Sequence, residues 1–131
     1  MRTGIAPFAF AQRLENFVGE GVPDVVLHLR DGGECHFMEL KHRPSAPVHA
    51  STPIFSGAYG LRPEQVAWIY SRAIAGAKVW ILGQCDDWLV LVHGRHARDL
   101  AKMTSDDLVL IAEWHREARK TDWVTMLVAM K

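Results

Sequence analysis

Apolar positions recur along this chain with two periods, and the change from one to the other marks its predicted elements. Between residues 8 and 18 they stand at 8, 10, 14, 17 and 18, one face of a helix, and Gly19 and Gly21 follow where such a helix would stop. This spacing predicts a short amphipathic helix over Phe8–Val18. From Pro23 the period becomes two: Asp24–Arg30 and Glu34–Lys41 read as strands, joined at Gly32-Gly33 by a two-residue hairpin turn. A proline- and glycine-rich loop runs from His42 to Gly60, a length that in ordered loops often accompanies function. Pro63 and Glu64 open a helix whose stripe is Val66, Ile69, Tyr70, Ala73 and Ile74, and Gly76 ends it. Lys78–Gly83 and Trp88–Val92 are near-continuous apolar runs, as expected of buried strands. Helices are predicted around Arg95–Lys102 and from Asp106 to about Lys120, the second capped by Thr104 or Ser105. The apolar tail Trp123–Met130 reads as a strand. The order α-β-β-α-β-β with C-terminal helices predicts an α/β domain, a mixed central sheet flanked by helices.

Length and composition narrow the class. A chain of 131 residues, 49% hydrophobic and 23% charged, suits one domain (1–131) with a core of its own. No apolar run approaches the ~20 residues that span a bilayer. Arg2 precedes a short run broken by Pro7, Gln12 and Arg13, which is unlike a signal peptide. Cys35 and Cys85 lie in strand-like segments without metal-ligand spacing. They read as reduced, buried small hydrophobes in a cytoplasmic protein. The formal net charge is zero, so a polyanion would have to be met by a local patch or through a metal ion.

The hairpin carries the chemistry. A two-residue turn at Gly32-Gly33 sets Val25 opposite Leu40, Leu27 opposite Met38 and Leu29 opposite His36 on an apolar face. Asp24 then lies opposite Lys41, Val26 opposite Glu39 and His28 opposite Phe37 on the other. Asp24, Glu39 and Lys41 thus project from one side, and two carboxylates at that spacing can converge on one cation. Hard divalent cations take such oxygen ligands, and a lysine beside them can steady negative charge on a phosphate. A solvated salt-bridge cluster is the plainer reading of the same three residues.

Pro23-Asp24 followed by Glu39-Leu40-Lys41, with Glu39 fifteen positions after Asp24, resembles the PD-(D/E)XK nuclease motif. Leu61-Arg62-Pro63-Glu64-Gln65-Val66-Ala67-Trp68 and then Ala75-Gly76-Ala77-Lys78-Val79 resemble its VRR-NUC branch, in the manner of small stand-alone Holliday junction resolvases. The resemblance covers roughly Ala9 to Val92. It implies a restriction-endonuclease-like core and Mg²⁺- or Mn²⁺-dependent hydrolysis of DNA phosphodiester bonds, usually in branched DNA, in repair or recombination. By position it makes Asp24 and Glu39 metal ligands and Lys41 the catalytic lysine. The Leu40 carbonyl becomes a further ligand, and Gln65 orients a water or a phosphate. Glu15 matches the upstream acidic residue that many members use as an outer ligand, with Glu20 a near competitor. The long loop after Lys41 departs from the pattern, and the segment 93–131 has no counterpart in it.

Around this site Arg43, Arg62, His42, Arg95 and Arg98 are candidate DNA contacts. His36, His42 and His49 lack the spacing of a zinc site and read as surface or DNA-facing histidines. Paired incisions in a junction would require two active sites, which predicts a homodimer formed through Trp123–Met130 within the extension 93–131. The competing readings are a nuclease-fold DNA-binding or structural module without turnover, and a sequence-specific restriction-type endonuclease.

Overall fold

Among the described residues six strands make one sheet, and their order in the sheet is their order in the chain. The computed structural model describes residues 9–14, 21–30 and 33–130. Strands β1 (Ala9–Arg13), β2 (Val25–Leu29) and β3 (Cys35–Arg43) form an antiparallel meander. Helix α1 (Pro63–Ile74) then carries the chain over to β4 (Val79–Cys85), which lies parallel to β3. A tight turn leads to β5 (Trp88–His93), antiparallel to β4, and β6 (Trp114–Glu117) closes that edge. Helices α2 (Ser105–Ile111) and α3 (Trp123–Met130) complete a mixed α/β fold with three helices among the described residues. None of them is long and apolar enough to cross a membrane.

Strand alternation divides the core in two. Leu27, Met38, Trp80, Leu82, Leu89 and Leu91 point to one face and pack with Trp114 and with Met126, Leu127 and Met130 of α3. Val79, Ile81, Val90 and Val92 point to the other, where Ile69 and Ala73 of α1 and Leu108 of α2 cover them. β4 and β5 are buried on both faces, which is why they read as unbroken apolar runs.

Four elements differ from the sequence expectation. Residues 9–13 form a strand, not part of a helix; the remainder of the expected Phe8–Val18 helix reaches residues outside those described. Ala9 is buried and its neighbour Phe10 faces out, so an exposed aromatic disguised a period of two. The expected helix from Asp106 ends at Ile111. Ala112 turns to extended backbone, Glu113 N–H donates to the Leu91 carbonyl at 2.9 Å, and Trp114 lies opposite Leu91 in the sheet. An open edge of β5 thus wins over helix periodicity. The tail Trp123–Met130 is a helix, because Met126, Leu127 and Met130 share one face and the Asp122 carboxylate accepts the Val124 N–H at 3.0 Å. Its apolar face belongs to the protein's own core, leaving Val124 and Val128 exposed. The segment expected to be helical around Arg95–Lys102 consists of two 3-10 turns, Gly94–His96 and Leu100–Lys102.

The loop after β3 is anchored. Ile54 and Phe55 are buried, and the Phe55 ring rests directly on Gly83, where a Cβ would come within 2.4 Å of it. Arg43 donates to the carbonyls of Ser45 (3.0 Å) and Ile54 (3.1 Å) and stacks over Tyr59 at 4.8 Å. Cys85 is buried as expected, but Cys35 is exposed, and both are free thiols.

Candidate functional site

The register of β2 on β3 decides where the carboxylates meet. Val25 pairs with Met38, Leu27 with His36 and His28 with Cys35, two residues away from the register expected of a two-residue turn. The expected pairs Asp24–Lys41 and Val26–Glu39 are thereby replaced. An even shift leaves every side chain on its face, so the apolar alternation cannot detect it. The chemistry tightens as a result, because continuing this register brings Asp24 level with Glu39.

β3 runs past β2, so Glu39 to Arg43 keep only β4 as a strand neighbour. Even-numbered residues of β3 turn their backbone groups toward β2 and odd-numbered ones toward β4, as the Phe37 N–H to Lys78 carbonyl bond at 2.8 Å shows. The Leu40 N–H, left without a strand partner, donates to Asp24 Oδ2 at 3.1 Å. The same alternation turns the Leu40 carbonyl toward the Asp24 edge. Asp24 is thus fixed by the backbone of the strand that presents Glu39 and Lys41.

Gln65, buried in the first turn of α1, completes the cluster. Its Oε1 accepts the Arg62 N–H at 2.9 Å, one half of a capping box. The same oxygen accepts from Lys41 Nζ at 3.1 Å, and Gln65 Nε2 donates to Glu39 Oε2 at 2.9 Å. Lys41 Nζ lies 3.5 Å from that carboxylate oxygen. An amide with donor and acceptor on opposite ends therefore bridges the lysine and the glutamate.

Glu39 is 2% exposed, and its second oxygen, Oε1, has no hydrogen-bond partner. Burial, with the Asp24 charge beside it, pushes the Glu39 carboxyl up to about 7 against the opposing pull of Lys41. A buried acceptor without a donor is costly, and a cation would satisfy it. No group of three His, Cys, Asp or Glu side chains suited to a metal occurs among the described residues. Glu15 and its competitor Glu20 lie outside them.

Sequence reasoning missed the part played by Gly21. It sits at φ +82°, and a Cβ there would come 2.2 Å from the backbone oxygen of Glu64. The chain leading into β2 is thereby pressed against the first turn of α1, next to Gln65. The only signal was a glycine in a turn-like stretch. Gly21→Ala is expected to cost about 1–3 kcal/mol through left-handed strain and backbone collision. Urea denaturation would measure it, and an unchanged midpoint would contradict this packing.

The remaining candidates are dispersed. His42 is exposed and follows the even positions of β3, so it lies on the α3 face, away from Glu39 and Lys41. Arg43 shares the face of Glu39, with donors turned into the 45–54 loop. Arg62 is exposed at the start of α1 and pairs with Glu64 at 3.3 Å. Arg95 pairs with Glu113 at 3.2 Å, and Arg98 stacks over Tyr70 at 4.8 Å, both on the 3-10 segment beside α1. His36 is not a surface histidine: it is buried, and its Nδ1 accepts the Trp80 indole N–H at 2.9 Å. Burial, with Lys78 adding to it, holds its pKa below the usual histidine value. Against this geometry, no family model matches the sequence, and no curated protein or solved structure matches it significantly.

Proposed function

We propose that the chain is a divalent-metal-dependent endonuclease that hydrolyses DNA phosphodiester bonds, with branched DNA as its preferred substrate. In this reading the mixed sheet is a restriction-endonuclease-like core of the PD-(D/E)XK type. The observation that carries it is the convergence of Asp24, Glu39, Lys41 and Gln65 from three separate elements, with the buried Glu39 Oε1 left unpartnered. A salt-bridge cluster selected for stability would leave no such oxygen, since removing a carboxylate from water without a partner is unfavourable.

The residues fit a hard divalent cation, Mg²⁺ or Mn²⁺. Asp24, Glu39 and the Leu40 carbonyl would hold it, with Glu15 as the candidate outer ligand. When bound, the cation supplies Lewis acidity that offsets phosphate charge and lowers the pKa of attacking water. Lys41, held by Gln65 and 16% exposed, presents an ammonium group to the negative charge that grows on the phosphate. Gln65 fixes the direction of that ammonium and of the Glu39 carboxylate together. A homodimer would provide the two incisions that junction resolution requires.

A second reading, a DNA-binding module without turnover, draws on the two-carboxylate count among the described residues. The two separate on one panel: a labelled four-way junction, a linear duplex and a single strand, each with Mg²⁺, Mn²⁺ or EDTA. Metal-dependent, paired nicks in the junction are the expected result. Equal cutting of all three would retain the chemistry and reject the preference, and binding with no cutting would reject the nuclease.

A further inference from the structure

Helix α1 and the 3-10 segment cover β3 to β5 on the face that carries Glu39, and among the described residues no helix packs on β1 and β2 there. The register lays the side chains of this open area out in rows. Phe10, His28 and Cys35 form one row across three strands, and Gln12, Val26 and Phe37 form the next. The row after that is Asp24 and Glu39. All three residues of the outermost row are exposed: Phe10 keeps 55% of its surface, and His28 and Cys35 lie exposed beside it. From Cys35 to Glu39 the strand advances about 13 Å at its usual rise.

Cations alternate with rings along both sides of this strip. The Arg30 guanidinium lies 3.8 Å over the Phe10 ring, and Phe10 and His28 are 6.2 Å apart between centroids. On the helix side, Phe37 meets Trp68 edge-on at 5.2 Å, and Arg72 lies 4.4 Å over Trp68. A phenylalanine kept largely in water on an open sheet gains nothing for the core. Rings interleaved with arginines are what nucleic-acid strands use, because bases stack on the rings and phosphates meet the guanidinium groups. A polyanion meets these guanidinium groups with opposite charge.

We infer that the open face of β1–β3 is a stacking platform for unpaired bases, adjoining the carboxylates so that one strand reaches both. This rests on the nuclease reading and sharpens its substrate class: DNA with a single-stranded or frayed segment beside the cleaved bond. A fully paired duplex keeps its bases inside and leaves Phe10 and His28 unused.

The test uses the full chain in EDTA, with 2-aminopurine oligonucleotides as a single strand, a forked duplex and a blunt duplex. Phe10→Ala is expected to weaken binding of the single strand and the fork by about 10-fold. It should also abolish the stacking quench of 2-aminopurine and change blunt-duplex binding less than about twofold. Phe10→Trp should keep both affinity and quench. As a readout independent of any substitution, the single strand should protect Cys35 of the parent protein from maleimide. Unchanged single-strand affinity in Phe10→Ala, equal loss on all three substrates, or an unprotected Cys35 would each overturn the platform. Repeating the assay with Mn²⁺ separates the two ideas. Cleavage that ignores Phe10→Ala rejects the platform and keeps the nuclease, whereas Phe10-dependent quenching without cleavage under any metal keeps the platform and rejects the nuclease.

Discussion

At pH 8 the metal-free Glu39→Gln variant is expected to melt well above the parent protein, and at pH 5 most of that difference is expected to be gone. Glu39 is buried with Asp24 beside it, and its carboxyl is raised from 4.5 to about 7. The native state therefore holds this proton across a window in which the unfolded chain has released it. Between roughly pH 4.5 and 7 stability falls as pH rises, and above 7 the full cost of an ionised Glu39 is present. A shift of that size corresponds to about 3 kcal/mol. For a domain of this length that is on the order of 10 °C in melting temperature. Glutamine keeps an oxygen for the Gln65 Nε2 donor and carries no charge, so it escapes the cost. Lys41 keeps its bond to Gln65 Oε1 in either protein. Calorimetric scans of both proteins from about pH 5 to 8 would measure the difference. A variant less stable than the parent at pH 8 would mean that the Lys41 pairing, and not burial, governs Glu39. The same scans with added Mn²⁺ carry a second expectation: the cation should raise the parent at pH 8 and leave Glu39→Gln where it was, because ligation offsets the cost that the substitution removes.

The site was more legible in the sequence than the fold around it, and the reason is parity. Alternation along Val25–Leu29 and Cys35–Arg43 tells which face a residue occupies, and Asp24, Glu39 and Lys41 need only a shared face. The two-residue error in register therefore cost nothing at the site, although every expected cross-strand pair was wrong. Gln65 was reached only through the resemblance of Pro63-Glu64-Gln65 to the helix start of the VRR-NUC branch; the helix signals themselves mark where α1 begins and give Gln65 no role. What alternation could not show was contact between distant segments. Gly21 against Glu64 is such a contact, and so are Phe55 on Gly83 and the Arg43 clasp. The C-terminal third was misread for a related cause. Leu108, Ile111, Trp114 and His115 fit a helix as well as they fit a short helix followed by an edge strand. The open edge of β5, a tertiary fact, decides between them. Phe10 is the converse case, where an apolar residue on the outer face of a strand made a period of two look like 3.6.

Asp24→Ala and Lys41→Ala are each expected to reduce metal-dependent DNA cleavage by about 10²–10³-fold or more, yet to diverge in their affinity for Mn²⁺. On the proposed reading Asp24 supplies a ligand oxygen at the point where the Leu40 backbone and Glu39 converge, so its loss should abolish measurable Mn²⁺ binding together with cleavage. Lys41 supplies no ligand. Its ammonium group lies 3.5 Å from Glu39 Oε2, where it competes for the same carboxylate, so Lys41→Ala should bind Mn²⁺ at least as well as the parent. The loss of cleavage in that variant would then lie in the chemical step: kcat falls while the DNA affinity of the inactive complex holds. Lys41→Arg sharpens the point. It keeps the charge but cannot donate to Gln65 Oε1 from the same position, so it should recover only part of the rate. Isothermal titration with Mn²⁺, beside single-turnover cleavage, gives both quantities for each protein. Full cleavage by Lys41→Ala would remove Lys41 from the reaction. Loss of Mn²⁺ binding in that variant would instead give Lys41 a structural role, holding Gln65 and through it the orientation of Glu39.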